Sequence, residues 1–274
     1  MVIILAANIS FIVFNKNYSS FIEALSDSFE RNGFYNDENV NFIMFDDGSD
    51  DDSVDKFLSI AKKYSNVKFV QLNERGFKRQ IKSGGQLDAL EYAFNKEYEY
   101  LNEYVHFFDC DDSIKDIYDY HKISGDVCFS KLNYISKNGN IGIKEIERKV
   151  NDNSYLWPTI TATSGLTVSK NWFYSNIELI LDRDERFAEV WFDSRINILA
   201  KLNCESAYVD NTINRFVHEQ GDSSNKSPLR HLTTQVQTMG YMLKHLKREK
   251  FKITPRALFL ISSYYFWKAY VHIK

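Results

Sequence analysis

Cysteine is nearly missing from this 274-residue chain. Cys110, Cys128 and Cys204 are odd in number, far apart and never in a Cys-x-x-Cys pair. A disulfide framework and a zinc site therefore have no basis, and a reducing, cytoplasmic setting is expected. A secretory signal pattern is lacking too: residues 1–14 are apolar but carry no basic leader and no small-residue cleavage site, so a first strand is expected there. The most apolar late stretch, residues 257–273, is interrupted by Ser262, Ser263, Lys268 and His272, which leaves no run of about twenty apolar residues to span a bilayer. Internal repeats and low-complexity linkers are absent. The net charge is only −3, and with no basic stripe or nucleic-acid motif, nucleic acid is not an expected partner.

What is present is enough for a sizeable core. Hydrophobic residues make up 44% of the chain, with 21 Phe and 17 Tyr to fill an interior or stack on flat ligand groups. Apolar strands are expected at 9–14, 40–45, 67–72 and 104–108. Between them run helical stripes: Phe21, Ile22, Leu25 and Phe29; then Val54, Phe57, Leu58 and Ala61; then Leu87, Leu90, Phe94, Tyr98 and Leu101. Ser19 or Ser20 is the expected cap of the first helix and Ser49 or Asp50 of the second. Such alternation implies a parallel sheet covered on both faces. Shorter strands follow at 126–132, 134–136 and 141–146, the last two joined by a turn at Asn138-Gly139. A long polar-to-basic helix is expected over 229–250, and Thr254-Pro255 opens a final one.

Two of the strands end in acids. Val105-His106-Phe107-Phe108 runs into Asp109-Cys110-Asp111-Asp112, and the strand ending at Phe45 runs into Asp46-Asp47-Gly48-Ser49. Both fall at the carboxyl edge of the sheet, where open α/β folds place ligands. Asp109 and Asp111 can point oxygens at one hard cation, Mg2+ or Mn2+, leaving positions for phosphate oxygens. Asp46 or Asp47, beside a helix start, can accept from a nucleobase imide or a ribose hydroxyl. A solvated acidic turn and a capped loop are the plain alternatives.

Asn15 and Asn17 after the first strand, then Asp46-Asp47-Gly48-Ser49, Gly84-Gly85-Gln86-Leu87-Asp88-Ala89 and Phe108-Asp109-Cys110-Asp111-Asp112 together resemble the large family 2 of inverting, GT-A-fold, nucleotide-sugar-dependent glycosyltransferases. The resemblance spans residues 9–222. It implies an α/β, Rossmann-like, mostly parallel sheet with helices on both faces in a catalytic domain of 1–228. The nucleotide half would be 1–115 and the acceptor half 116–228, with 229–274 a C-terminal helical extension. It further implies a nucleotide-sugar donor, UDP-linked by the family's habit, and a glycan, glycolipid or glycoprotein acceptor. Asp47 or Asp46 would hold the base, Asp109 the ribose or metal, and Asp111 the metal, while Asn15, Gly85 and Asp88 would line the donor side. The family's Pro-Thr after the first strand is replaced here by Phe14-Asn15.

Inverting transfer needs a carboxylate to take the acceptor proton. Phe187-Ala188-Glu189-Val190-Trp191-Phe192-Asp193-Ser194-Arg195 resembles the family's Glu-Asp segment; counting back from Arg195 puts Glu189 first as base. Asp193, one turn on and on the same helical face, is second. Trp157, with Thr161, Thr163 and Ser164, offers an acceptor platform, and His218 in the loop after Arg215 is a candidate metal ligand. A sugar-phosphate nucleotidyltransferase and a non-catalytic calcium module at 46–55 are the alternatives; the first would want a Gly-rich basic loop after the first strand, the second a terminal Glu. From Lys244 onward, eight basic residues face one acid, a balance of +7 that leaves −10 for the rest. Peripheral contact with an anionic membrane face follows as an expectation.

Overall fold

The structure, a computed structural model, describes residues 8–78, 84–136, 139, 141–144, 156, 161–203, 206–217, 227–246 and 252–273. Its first half follows the sequence pattern closely. Strands β1 (Ile9–Asn15), β2 (Val40–Asp46), β3 (Val67–Gln71) and β4 (Tyr104–Asp109) pair in parallel in the order β3-β2-β1-β4. Helices α1 (Ser19–Arg31), α2 (Ser53–Lys63) and α3 (Gly84–Lys96) connect them. Every β1 residue is buried, as a strand covered on both faces must be. One face packs Phe11 and Val13 on Leu25 and Phe29 of α1 and Phe57 of α2. The other packs Ile12 and Phe45 on Leu87, Leu90 and Phe94 of α3.

Beyond β4 the sheet turns mixed. β5 (Asp112–Ile114), β6 (Val127–Ser136), β7 (Ile141–Lys144), β8 (Leu166–Ser169) and β9 (Ser206–Val217) extend it in the order β4-β8-β6-β9-β5, with β7 on β6. The expected strands at 126–132 and 134–136 are one strand, β6, whose pairing with β9 carries an irregularity between Phe129 and Lys131. The β6–β7 hairpin closes as expected, with Gly139 at φ 71 and its N–H on the Ser136 carbonyl. Two short helices follow β8, α4 (Lys170–Ser175) and α5 (Ile177–Ile180), and then α6 (Phe192–Asn203).

The C-terminal helices α7 (Pro228–His245) and α8 (Pro255–Ile273) are joined to the preceding elements by a third core. Met239, Tyr241 and Met242 of α7 and Leu260 of α8 pack with Phe187, Val190 and Ile198. Among the described residues no helix is long and apolar enough to cross a membrane.

Candidate active site

Strand register brings the two acid turns to one edge. Asn15 lies opposite Asp46 and Phe14 opposite Asp109, so the ends of β1, β2 and β4 are level.

The first turn is closed on itself. Asp46 is fully buried and accepts from Asn15 Nδ2 at 2.7 Å, Ser49 N at 2.8 Å and Ser49 Oγ at 2.5 Å. Asp46 and Asn15 thus anchor the turn at the edge where a donor was expected to bind. Asp51 does the capping expected of serines: it accepts from Ser19 N at 2.9 Å and Ser53 N at 3.0 Å, at the starts of α1 and α2. Burial pushes the Asp51 carboxyl up, but the Ser53 and Ser19 hydrogen bonds outweigh it and hold it below the usual range. Neither Ser19 nor Ser49 caps by its own side chain, since α1 and α2 begin after Tyr18 and Asp52. Gly48 is at φ 73, and a Cβ there would lie 2.4 Å from the Glu74 carbonyl. Only glycine lets residues 73–77 lie this close. Asp47, next to it, accepts from Asn73 Nδ2 at 2.7 Å and has Lys16 Nζ 3.7 Å from Oδ2.

The second turn is different in kind. Oxygens of Asp109, Asp111 and Asp112 lie within 4.8 Å of one another. One cation serves two of them: Arg215 Nη1 is 3.4 Å from Asp109 Oδ2 and 3.3 Å from Asp112 Oδ2. Antiparallel pairing of β5 with β9 sets Arg215 opposite Asp112. Gln86 Nε2 donates to Asp109 Oδ1 at 3.0 Å, and the Asp109 N–H donates to Ser164 Oγ at 2.9 Å. Burial drives the Asp109 carboxyl up; Arg215 draws it down, Asp111 and Asp193 push it up again, and the balance is about 7. Burial likewise raises Asp112 well above the carboxylate range against the pull of Arg215. Three carboxylates thus gather around one guanidinium.

The carboxylates weighed as base separate clearly. Glu189 lies before α6, in a turn, so it shares no helical face with Asp193. Its carboxylate meets Arg230 Nε at 3.0 Å and its N–H meets Gln237 Oε1 at 2.8 Å, both on α7. Asp193, in the first turn of α6, is close enough to raise both Asp109 and Tyr134. Buried Arg195 folds the connecting loop by donating to the carbonyls of Val190, Ile180 and Asp182 at 2.9, 2.7 and 2.5 Å.

Of the remaining expectations, Gly85 is buried in the first turn of α3, and Asp88 pairs with Arg183 at 2.6 Å, outside the aspartate cluster. Thr161, Thr163 and Ser164 are buried, so they are not an acceptor platform; Ser164 instead fixes Asp109 from beneath. His218 and Trp157 lie outside the described residues. Sequence reasoning left out Gln86, Asp112 and Tyr134 as site members. Asp112 had a visible signal in its place in the acid run and Gln86 in its place within the Gly84–Ala89 motif, whereas Tyr134 depends on cross-sheet register.

Residues 10–122 match the model of glycosyl transferase family 2. No curated protein matches the chain. Among solved structures it is similar to the 1–349 segment of S. aureus TarS in complex with UDP-GlcNAc, at 17% identity over 94% of this chain and 71% of that one, TM-score 0.56. It is also similar to the mannosyltransferase PcManGT from Pyrobaculum calidifontis in complex with GDP-Man and Mn2+, at 15% identity over 95% and 70%, TM-score 0.57. The match over 10–122 covers both acid turns, and the described chain shares the GT-A fold of these glycosyltransferases.

Proposed function

We propose that this enzyme transfers a hexosyl group from a UDP-linked donor to a hydroxyl of a glycan, glycolipid or glycoprotein acceptor, with inversion at C1, in surface polysaccharide or glycoconjugate synthesis. The observation that carries this reading is the cluster of Asp109, Asp111 and Asp112 at the sheet edge, with Asp193 in the first turn of α6 near enough to act on Asp109 electrostatically. An all-oxygen set of three clustered carboxylates fits Mn2+ or Mg2+. Asp109 and Asp111 would hold the ion, and bound there it would neutralise the departing diphosphate.

The chain's own residues do the rest. Asp47, set by Asn73 and Lys16, receives the uridine base. Arg215 and Gln86 fix the orientation of Asp109, and Arg215 balances Asp112 so that both acids stay in place. Asp193 takes the proton from the acceptor hydroxyl as its oxygen attacks C1 from the face opposite the C1–O bond to the diphosphate, which breaks with inversion. Glu189, held by Arg230 and Gln237, ties the loop to α7. This reverses the order expected from sequence. Asp193 becomes the base and Glu189 the support.

Hydrolysis of a panel of nucleotide sugars, with and without Mn2+, tests the reading without an acceptor. Metal-dependent UDP release from a UDP-sugar is expected. Pyrophosphate exchange into the nucleotide would instead mark nucleotidyl transfer, and turnover of GDP-sugars alone would overturn the donor assignment.

A further inference from the structure

Helix α8 has two apolar faces, and the described residues cover only one. Ala257, Leu260 and Tyr264 are buried against α7, where Gly240 permits the contact: a Cβ there would stand 2.1 Å from the Tyr264 ring. The other face carries Leu258, Phe259 and Tyr265 at 57% exposure each and Phe266 at 78%. These residues recur at i, i+1, i+7 and i+8, so they form one stripe along the helix axis. Isolated exposed apolar residues are ordinary, whereas four large ones in line on a single helix mark a surface that something else covers.

Charge narrows what that is. From residue 250 to 274 there is no Asp or Glu, while Lys250, Lys252, Arg256, Lys268 and Lys274 are all basic. Lys252 and Arg256 are exposed at the start of the helix. By helical spacing Arg256 and Lys268 fall on opposite flanks of the stripe. A second copy docked by twofold symmetry would bring two such cationic segments together. A nucleic acid would satisfy the cations but not the rings. An anionic bilayer offers negative headgroups and an acyl boundary together, and aromatic side chains such as Tyr265 suit its interface.

We propose that the exposed face of α8 is a peripheral docking surface for an anionic lipid bilayer. The helix lies in the headgroup plane with Leu258, Phe259, Tyr265 and Phe266 toward the acyl chains. This goes beyond the transfer chemistry and stands independently of donor or acceptor.

Flotation of the full chain with vesicles tests it. Binding to phosphatidylcholine vesicles containing phosphatidylglycerol, and little to phosphatidylcholine alone, is expected. The Phe259→Ser/Phe266→Ser pair should lower the bound fraction by about tenfold or more, with donor hydrolysis and the thermal midpoint unchanged. Lys252→Gln/Arg256→Gln leaves the rings in place and should erase the preference for anionic vesicles; it carries the test alone if the ring variant folds poorly. No flotation on anionic vesicles overturns the proposal, as does equal flotation of all three proteins. Concentration-dependent dimerisation lost in the ring variant, without vesicle binding, would assign the face to a second copy instead.

Discussion

Strands β2 and β4 both run from apolar residues into a string of aspartates, and the two turns behave in opposite ways. After β2, two of the acids are held by nearby donors: Asp46 accepts three hydrogen bonds and Asp51 closes the starts of two helices. After β4, one guanidinium stands between the partly buried Asp109 and the buried Asp112 with a third carboxylate alongside, and loss of water lifts both acids out of the carboxylate range. The first turn is held mainly by hydrogen bonds, although the buried Asn15 Oδ1 accepts none among the described residues. In the second, one guanidinium lies between two of three carboxylates. Composition does not separate them; the supply of donors does. Glu189 and Asp193 repeat the contrast, one in an ion pair with α7 and the other adding its charge to the cluster.

The base assignment is where that contrast can be broken most decisively. Asp193→Asn should lower turnover by about 10²–10⁴-fold, the range for loss of a general base, with UDP affinity kept. Glu189→Gln should lose far less, because it removes one ion-pair partner at the α7 contact. Steady-state kinetics on both variants decide the matter. A larger loss of kcat in Glu189→Gln would return the base to Glu189.

The two turns themselves make the next pair. Asp111→Asn should cost Mn2+-dependent UDP binding more than the roughly 10–100-fold typical of losing a mere supporting partner of a metal ligand, and leave the thermal midpoint of the metal-free protein unchanged or higher. Asp46→Asn should do the reverse. It removes charge-assisted acceptors from a buried network, so stability should fall by about 1.5–3 kcal/mol while the metal requirement persists. Calorimetry and thermal melts on the two variants should give crossed results. Matching results would mean the turns do not differ as described.

Much of this was legible in the residues. Periodicity placed β1 to β4 and α1 to α3, because strands buried on both faces read as unbroken apolar runs and their helices as stripes. The shared edge of the acid turns followed from that alternation. What the sequence could not show was anything set by register between distant strands. Asp112 meets Arg215 only because β5 pairs with β9, across 103 positions. Spacing suggested one helical face for Glu189 and Asp193, but Glu189 lies in the preceding turn, near a loop folded around the Arg195 side chain. The role of α7 and α8 was missed for a related reason: their core partners, Phe187 and Ile198, are far away in sequence.

Titration sharpens the charge argument. Asp109 is lifted to about 7 in the folded protein, above an ordinary carboxylate value of about 4. Between those values the folded state holds more protons than the unfolded state, so the metal-free protein should lose stability from this group as pH rises through that window. Metal binding requires the same proton to leave. Mn2+ affinity should therefore rise by up to about tenfold per unit below pH 7 and level off above it. The thermal shift produced by Mn2+ should be larger at pH 8 than at pH 6. A shift independent of pH would place Asp109 in the ordinary range.

The smallest expected effect lies at Asp47, the acid of the closed turn that is proposed to face the ligand. Asn73 donates to its Oδ1 at 2.7 Å and Lys16 approaches Oδ2, so two neighbours set its direction. Asn73→Ala removes one of these and leaves Asp47 itself intact. A single hydrogen bond of this kind contributes about 0.5–1.5 kcal/mol, which corresponds to roughly 2–10-fold in UDP affinity. Uridine, which has no diphosphate, should lose the same factor, and the Mn2+ dependence should not change. Asp47→Ala should lose more on both ligands, since it removes the acceptor and not merely its orientation. If Asn73→Ala weakens UDP but not uridine, Asp47 serves the diphosphate side, and both turns belong to the charge-binding part of the site.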